Sequence, residues 1–346
     1  MNQLILYFAR LALYLHRIFI MMIDKQKIIA PVEYEFEQFK ADFSKAINSE
    51  IPLLQSAIKQ VLKTNGKHIR PLLLLLTAKT CCNELNSITR KTAVIIEILH
   101  TTTLIHDDVV DETKQRRGAP SLNAIFDNRI AVLTGDFILA EAVLKAVEMG
   151  NNTIIKLIAK VCRELSEGEL LQLDNTKNNS ICEDKYFQMI NKKTATLISA
   201  CSEIGAISVN APTETINKCR LFGEYLGFCF QIKDDIFDYF DNTEIGKPTG
   251  NDIREGKITL PLLYALNTAP ESESSYYFNI IRSQSFTQAN ITTLINFAKQ
   301  YDGIEYAENK LKEYKLKAVE IINSFPESDA RDSLLLMADF FSERTK

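Results

Sequence analysis

The chain has no tryptophan, four histidines, and only 12 glycines and 9 prolines in 346 residues, below the usual share of about 7% and about 5% for the last two. With so few residues that reverse or break the backbone, a turn-rich β-sandwich or barrel is excluded and long uninterrupted helices are the expectation. No segment alternates apolar and polar residues with the period of two that a half-buried strand needs. The seven cysteines (Cys81, Cys82, Cys162, Cys182, Cys201, Cys219 and Cys229) form no CxxC pair and have no histidine at ligand spacing. That removes a zinc site and a disulfide framework and points to a reducing cytoplasm. A net charge of -4 gives no footprint for nucleic acid. There is also no run of about 20 apolar residues to span a bilayer. Residues 1–23 come nearest, but Arg10, His16 and Arg17 interrupt them, and the basic start and small-residue cleavage site of a signal peptide are missing. Neither anchor nor signal is expected. The segment reads as an apolar extension ahead of a domain over 24–346, with Met21 or Met22 the more ordinary start.

What the chain does have is acid inside apolar sequence. His106-Asp107-Asp108-Val109-Val110-Asp111 lies in a run from Lys91 to Arg117 without glycine or proline, rich in Ile, Val and Leu, which reads as one long helix. At about 100° per residue, Asp108 is one step round from Asp107, and Asp111 returns to within about 40° of it. Three carboxylates are therefore expected on one face of a mostly buried helix, where mutual repulsion demands a cation. Oxygen ligands suit Mg²⁺, which shares its shell with water and phosphate. Asp234-Asp235-Ile236-Phe237-Asp238 repeats the spacing in a second apolar run beginning near Leu221. Two such triads are hard to read as solvated patches. They predict a cavity between two helices, lined by facing carboxylates that hold metal and a polyphosphate.

Cations stand where an anion is to be held. Lys67-His68-Ile69-Arg70-Pro71 follows Asn65-Gly66 and precedes the apolar run Leu72 to Leu76, so two cations sit at a helix entrance. Lys114-Gln115-Arg116-Arg117-Gly118 follows the first triad, with Gly118 and Pro120 expected to end its helix. Lys192-Lys193-Thr194 lies in a later helical pattern, and Phe230-Gln231 directly precedes the second triad. The loop Gly246-Lys247-Pro248-Thr249-Gly250-Asn251-Asp252, continuing to Lys257, presents two lysines as a lid over phosphates.

Taken together, these residues resemble the trans-isoprenyl diphosphate synthases, the all-α head-to-tail prenyltransferases, over about Phe36 to Arg344. Lys67 to Pro71 looks like the GK-x-x-RP motif, with Asn65 in place of a first glycine. His100 stands seven residues before the first triad, and the two triads, Arg116-Arg117-Gly118, Lys193-Thr194, Phe230-Gln231 and the loop to Lys257 follow in the family's order. The resemblance implies a single-domain bundle of antiparallel helices around a central cavity and a homodimer. It implies an allylic diphosphate held through three Mg²⁺ by Asp107, Asp108, Asp111, Asp234, Asp235 and Asp238, with Arg116, Lys193, Thr194, Gln231, Lys247 and Lys257 in support. Isopentenyl diphosphate would rest on Lys67, Arg70, His100 and Arg117 without metal. The mechanism it implies is release of pyrophosphate from the allylic diphosphate to leave a carbocation, steadied by Phe230, Thr194 and Gln231; the alkene of isopentenyl diphosphate attacks it, and a proton is then lost to the released pyrophosphate. The fourth and fifth residues before the first triad, Thr103 and Thr102, are bulky aromatics in short-chain members of the family, and threonine at both implies a long, octaprenyl-class product for a quinone side chain. Leu99 and Ile96 continue that wall. An HD-type phosphohydrolase lacks its further histidines here, and a terpene cyclase would carry only one such aspartate motif. A short-chain synthase and a non-catalytic subunit of a heteromeric prenyltransferase are the remaining alternatives; the intact triads argue against the subunit.

Overall fold

The structure is a computed structural model; it describes residues 25–63, 66–116, 118–178, 182–240 and 249–343. The expectations placed on residues 1–23, Asn65, Arg117, Lys247 and the neighbouring Gly246 and Pro248 lie outside the described residues. Among the described residues, regular structure is helical apart from one two-stranded ribbon. The chain divides into two compact units.

The first unit holds the residues up to Ile155 together with Ile204–Thr215 and Phe325–Met337. Its elements are α1 (Glu33–Phe43), α2 (Pro52–Lys63), α3 (Ile69–Cys81), α4 (Ser87–Val110), β1 (Gln115–Arg116), β2 (Ala119–Pro120), α5 (Leu122–Ile125) and α6 (Asn128–Met149). Every residue from Pro71 to Ala78 is buried, so α3 is apolar all round and sits at the centre. Pro71 falls in its first turn, where a missing N–H costs nothing. The Asn86 side chain accepts from Thr89 N at 3.0 Å and caps α4.

Helix α4 ends sooner than its composition suggests. Glu112 takes the left-handed conformation at φ 50°, Glu112 N donates to Val109 O, and Thr113 N donates to Asp108 O at 2.9 Å. This pair of bonds satisfies the last carbonyls of the helix, and the chain then turns into the β1–β2 ribbon, with Arg116 opposite Ala119. The expected helix through Arg117 is thus corrected: it stops at Val110, before the glycine and proline thought to end it. Gly135 lies inside α6; a Cβ there would stand 2.3 Å from His106 Nε2.

The second unit comprises Lys156–Glu203, Ile216–Ser324 and the residues from Ala338 on. The elements that follow α6 are α7 (Asn152–Asn178), α8 (Glu183–Ile190), a π-helical turn Asn191–Ala195, α9 (Thr196–Ser208), α10 (Thr213–Phe237), α11 (Asn251–Arg254), α12 (Leu260–Thr268), α13 (Glu271–Arg282), α14 (Gln288–Gln300), α15 (Gly303–Asn323) and α16 (Asp329–Glu343). Pro261 opens α12, whose Leu262, Ala265 and Leu266 pack with Ile280, Ile291 and Phe297 from α13 and α14. The polar stretch from Asn267 to Ser275 is mostly helix, with Pro270 as the N-cap of α13. A second cluster joins Tyr186, Ile190, Phe228, Ile232 and Ile236 and forms the floor beneath the second triad.

Candidate active site

In the first unit the three carboxylates of the triad do not share one environment. Asp108 is 6% exposed, Asp107 is half-buried and Asp111 exposed, because the 100° step turns the middle residue inward. Asp108 Oδ1 accepts from Arg116 Nε at 2.7 Å. Burial pushes its carboxyl above the usual range, with Arg116 pulling the other way. The ribbon, not a helix, aims Arg116 at this carboxylate.

The basic entrance of α3 lies against the same helix. Arg70 Nη1 donates to His100 Nε2 at 2.9 Å, and His68 Nδ1 donates to Glu97 Oε1 at 2.8 Å. A cavity is lined by Gly66, His68, Glu97, His100, Asp108 and Arg116, which brings together Arg116 and His100, expected to serve different substrates; Lys67, next to His68 in the chain, is exposed. Thr103 shares the Asp107 face and is half-buried, with its hydroxyl donating to His100 O at 2.8 Å. Thr102, expected beside it on the tunnel wall, is instead 2% exposed and bonded to Ile98 O. Leu99 and Ile96 below are fully buried.

The second unit repeats the division. Asp235 is 2% exposed, while Asp234 is exposed and Asp238 half-buried. Asp235 accepts from Tyr186 Oη at 2.6 Å and from Gln231 Nε2 at 2.8 Å; Thr194 Oγ1 donates to Gln231 Oε1 at 2.7 Å. Lys193 pairs with Glu169 at 2.7 Å and Lys257 with Glu255 at 2.6 Å. Phe230 is half-buried with its ring 5.6 Å from that of Phe341. Asp238 spends both oxygens on the start of α11, accepting from Asn251 N and Asp252 N at 2.8 and 3.0 Å. One cavity is lined by Lys185, Lys193, Gln231, Asp235, Asp252 and Lys257.

Sequence reasoning missed Asp252 and Tyr186. Asp252 is pushed up to about 7 by burial and then by Asp238. Burial, followed by Asp252, raises Asp235 well above the carboxylate range, and Asp238 is raised chiefly by burial. No spacing rule links Asp252 to a triad 14 residues away, yet its amide donates to Asp238 Oδ2. The Lys193-Thr194 pair sits on the π turn, a geometry that helical periodicity cannot announce. A Cβ at Gly168 would stand 2.6 Å from Lys193 N, and one at Gly227 would stand 2.4 Å from Ala195 Cα. Two glycines from α7 and α10 therefore seat that turn.

Does the donor set fit the implied metal? Among the described residues no three His, Cys, Asp or Glu converge as a closed metal cage. A cluster of desolvated, mutually repelling carboxylates nevertheless calls for a hard cation, and Mg²⁺ takes one or two protein carboxylates and completes its shell with water and phosphate. The residues fit that open mode.

Residues 51–297 match the polyprenyl synthetase family. The chain belongs to this family. It is 36% identical over 91% of its length to an all-trans-nonaprenyl-diphosphate synthase (geranyl-diphosphate specific) of Rhodobacter capsulatus, covering 97% of that protein. Among solved structures it resembles a polyprenyl synthase from Caulobacter crescentus complexed with calcium and isoprenyl diphosphate, at 30% identity and TM-score 0.86 over 93% of this chain and 98% of that one. It also resembles a geranylgeranyl pyrophosphate synthase from Bacteroides thetaiotaomicron, at 42% identity and TM-score 0.80 over 93% and 99%. The expected all-α isoprenoid synthase fold and prenyltransferase class are borne out. No helix among the described residues is long and apolar enough to cross a membrane.

Proposed function

We propose that this polyprenyl synthetase condenses isopentenyl diphosphate head-to-tail with an allylic diphosphate such as farnesyl diphosphate, giving a long-chain all-trans polyprenyl diphosphate for a quinone side chain. The observation that carries the reading is that each unit has its own polar cavity with its own basic side chains: Arg116, with His100, beside Asp108 in one, and Lys185, Lys193 and Lys257, with Gln231, beside Asp235 and Asp252 in the other. A two-substrate condensation needs cations for two diphosphates, and these suffice: Arg116, Lys193 and Lys257 for the allylic one, and Lys67 and Arg70, beside His100, for the other.

Asp107, Asp111 and Asp234, the more exposed members of the triads, offer oxygens to Mg²⁺, three ions in all. Asp108, Asp235 and Asp238 complete the acidic field from positions fixed by Arg116, Tyr186, Gln231 and the first amides of α11. Mg²⁺ supplies neutralisation of the charge that develops on the departing pyrophosphate. Arg116, Lys193 and Lys257, with Lys247, bind phosphate oxygens directly. The Thr194 to Gln231 to Asp235 chain orients dipoles where the allylic cation forms, and Phe230 offers it a ring face. Lys67, Arg70 and His100, with Arg117, hold isopentenyl diphosphate without metal.

Thr103 on the Asp107 face supports a long product, as does the likeness to a nonaprenyl synthase. A second reading, a geranylgeranyl product, is favoured by the 42% identity to the Bacteroides protein. The helix α6 leaves Leu133, Val143, Leu144 and Val147 exposed at 67%, 46%, 50% and 55%, an apolar face that supports a homodimer. The test is incubation of the purified protein alone with farnesyl diphosphate, isopentenyl diphosphate and Mg²⁺, then phosphatase treatment and chromatography. Products of the octaprenyl class uphold the proposal, and arrest at geranylgeraniol selects the second reading. No elongation at all refutes both and returns the partner-dependent subunit.

A further inference from the structure

A carboxylate next to a site for a diphosphate is an electrostatic liability, because it repels the ligand the site exists to hold. Glu97 is such a group: it is 6% exposed and lines the same cavity as His100 and Arg116. Its partner is His68, whose Nδ1 donates to Glu97 Oε1 at 2.8 Å, with both side chains buried to 10% and 8% exposure. His68 stands between Lys67 and Arg70, the two cations at the entrance of α3, and its backbone is left-handed at φ 49°. A non-glycine residue holds that conformation only when its surroundings impose it. Here the imposition is visible. The His68 ring lies edge-on to Phe39 at 5.4 Å and to Phe43 at 5.6 Å, and its nitrogen is tied to Glu97. One turn on along α4, His100 takes Arg70 in the same way at 2.9 Å. Two rungs, Glu97 to His68 and His100 to Arg70, thus join one face of α4 to the entrance of α3.

We infer that Glu97 is a positioning residue for the metal-free diphosphate site: through His68 it locks the left-handed turn that sets the direction of Lys67 and Arg70. The inference rests on the assignment of isopentenyl diphosphate to those cations. It gives the Glu97 carboxylate a role that outweighs its repulsion of the substrate, and the two effects have opposite signs. If positioning dominates, removing the carboxylate weakens isopentenyl diphosphate binding. If Glu97 acts only as a charge, removing it strengthens binding.

The experiment is steady-state kinetics on the full chain, with KM for isopentenyl diphosphate and for the allylic diphosphate determined separately for Glu97→Ala, Glu97→Gln, His68→Asn and the reference variant Lys67→Ala. The expected result is a rise of about tenfold in KM for isopentenyl diphosphate with Glu97→Ala. KM for the allylic substrate and kcat should stay within about twofold, and Glu97→Gln, which keeps an acceptor for His68, should recover most of the loss. His68→Asn tolerates the left-handed backbone but is too short to reach Glu97, so it should show the same selective rise and stands in if Glu97→Ala does not fold. An unchanged or lower KM for isopentenyl diphosphate in the folded variants overturns the inference, and so does an equal rise for both substrates. Lys67→Ala separates the two levels: if it leaves that KM unchanged, the substrate assignment itself is wrong, whereas a raised KM there with normal values at Glu97 and His68 refutes only the positioning role.

Discussion

Replacing Gly227 by alanine tests whether the π turn that carries Lys193 and Thr194 must be seated to within a fraction of an ångström. The new methyl would stand 2.4 Å from Ala195 Cα and 2.6 Å from its Cβ, whereas ordinary contact needs about 3.4 Å or more. The obstacle is backbone and a Cβ, neither of which can swing aside, so α10 and the turn must part by about 1 Å. Overpacking of this kind costs about 1–3 kcal/mol, partly offset by about 1 kcal/mol gained from alanine over glycine in a helix. The net loss of about 0–2 kcal/mol corresponds to a fall in Tm of up to about 8 °C for a unit of this size. Catalysis should suffer far more than stability, since a misplacement of about 1 Å in a positioning group costs about 10²-fold in turnover. Differential scanning calorimetry beside single-turnover product formation, with a quench at fixed times, reads both numbers on one preparation. Gly168→Ala, whose methyl would meet Lys193 N at 2.6 Å, should behave alike. Activity of Gly227→Ala within about threefold of wild type would refute the idea that the turn's position matters.

Asp107→Ala and Asp234→Ala should each lower turnover by several orders of magnitude with Tm unchanged or higher, because a repelling carboxylate is removed; more than about a tenth of wild-type activity at saturating Mg²⁺, a loss under about 1.4 kcal/mol, contradicts a metal role. Thr103→Phe should shorten the product toward farnesyl or geranylgeranyl length on chromatography, and an unchanged product means the tail grows along another wall. For the metal-free protein, burial raises the carboxyls of Asp235, Asp238 and Asp252 above the usual carboxylate range, the last to about 7. The folded state therefore keeps protons that the unfolded chain has released, and stability should fall as pH rises from about 4 through about 7. Thermal melts at pH 5.5 and 7.5 should show the lower Tm at the higher pH and a flatter profile for Asp252→Asn; the opposite slope dismisses the acidic cluster as its cause. The proposed homodimer is tested by light scattering: wild type should run as a dimer and Leu144→Glu, on the exposed face of α6, as a monomer, whereas a monomeric wild type or a variant of wild-type size refutes that interface.

Much of this protein follows from sequence alone. Few glycines and prolines leave helices as the economical way to satisfy the backbone, and the repeated aspartate spacing, embedded in apolar runs, marks chemistry where solvation cannot explain it. Motif order then carried the family. What the sequence could not decide depends on contacts between residues far apart in the chain. The triads look alike residue by residue, yet Asp108 and Asp235 turn inward onto Arg116 and Tyr186 while Asp107 and Asp234 are left more open, because helical rotation separates neighbours by 100° and only the packed fold says which side is interior. The early end of α4 came from a bonding pattern at Glu112 and Thr113 with no glycine to announce it. Asp252 joined the acidic site through an amide that donates to Asp238, Glu97 met His68 across 29 residues, and the π turn at Lys193 was set by glycines from two other helices. Local spacing records what a helix face presents; which partner meets that face is decided by tertiary packing.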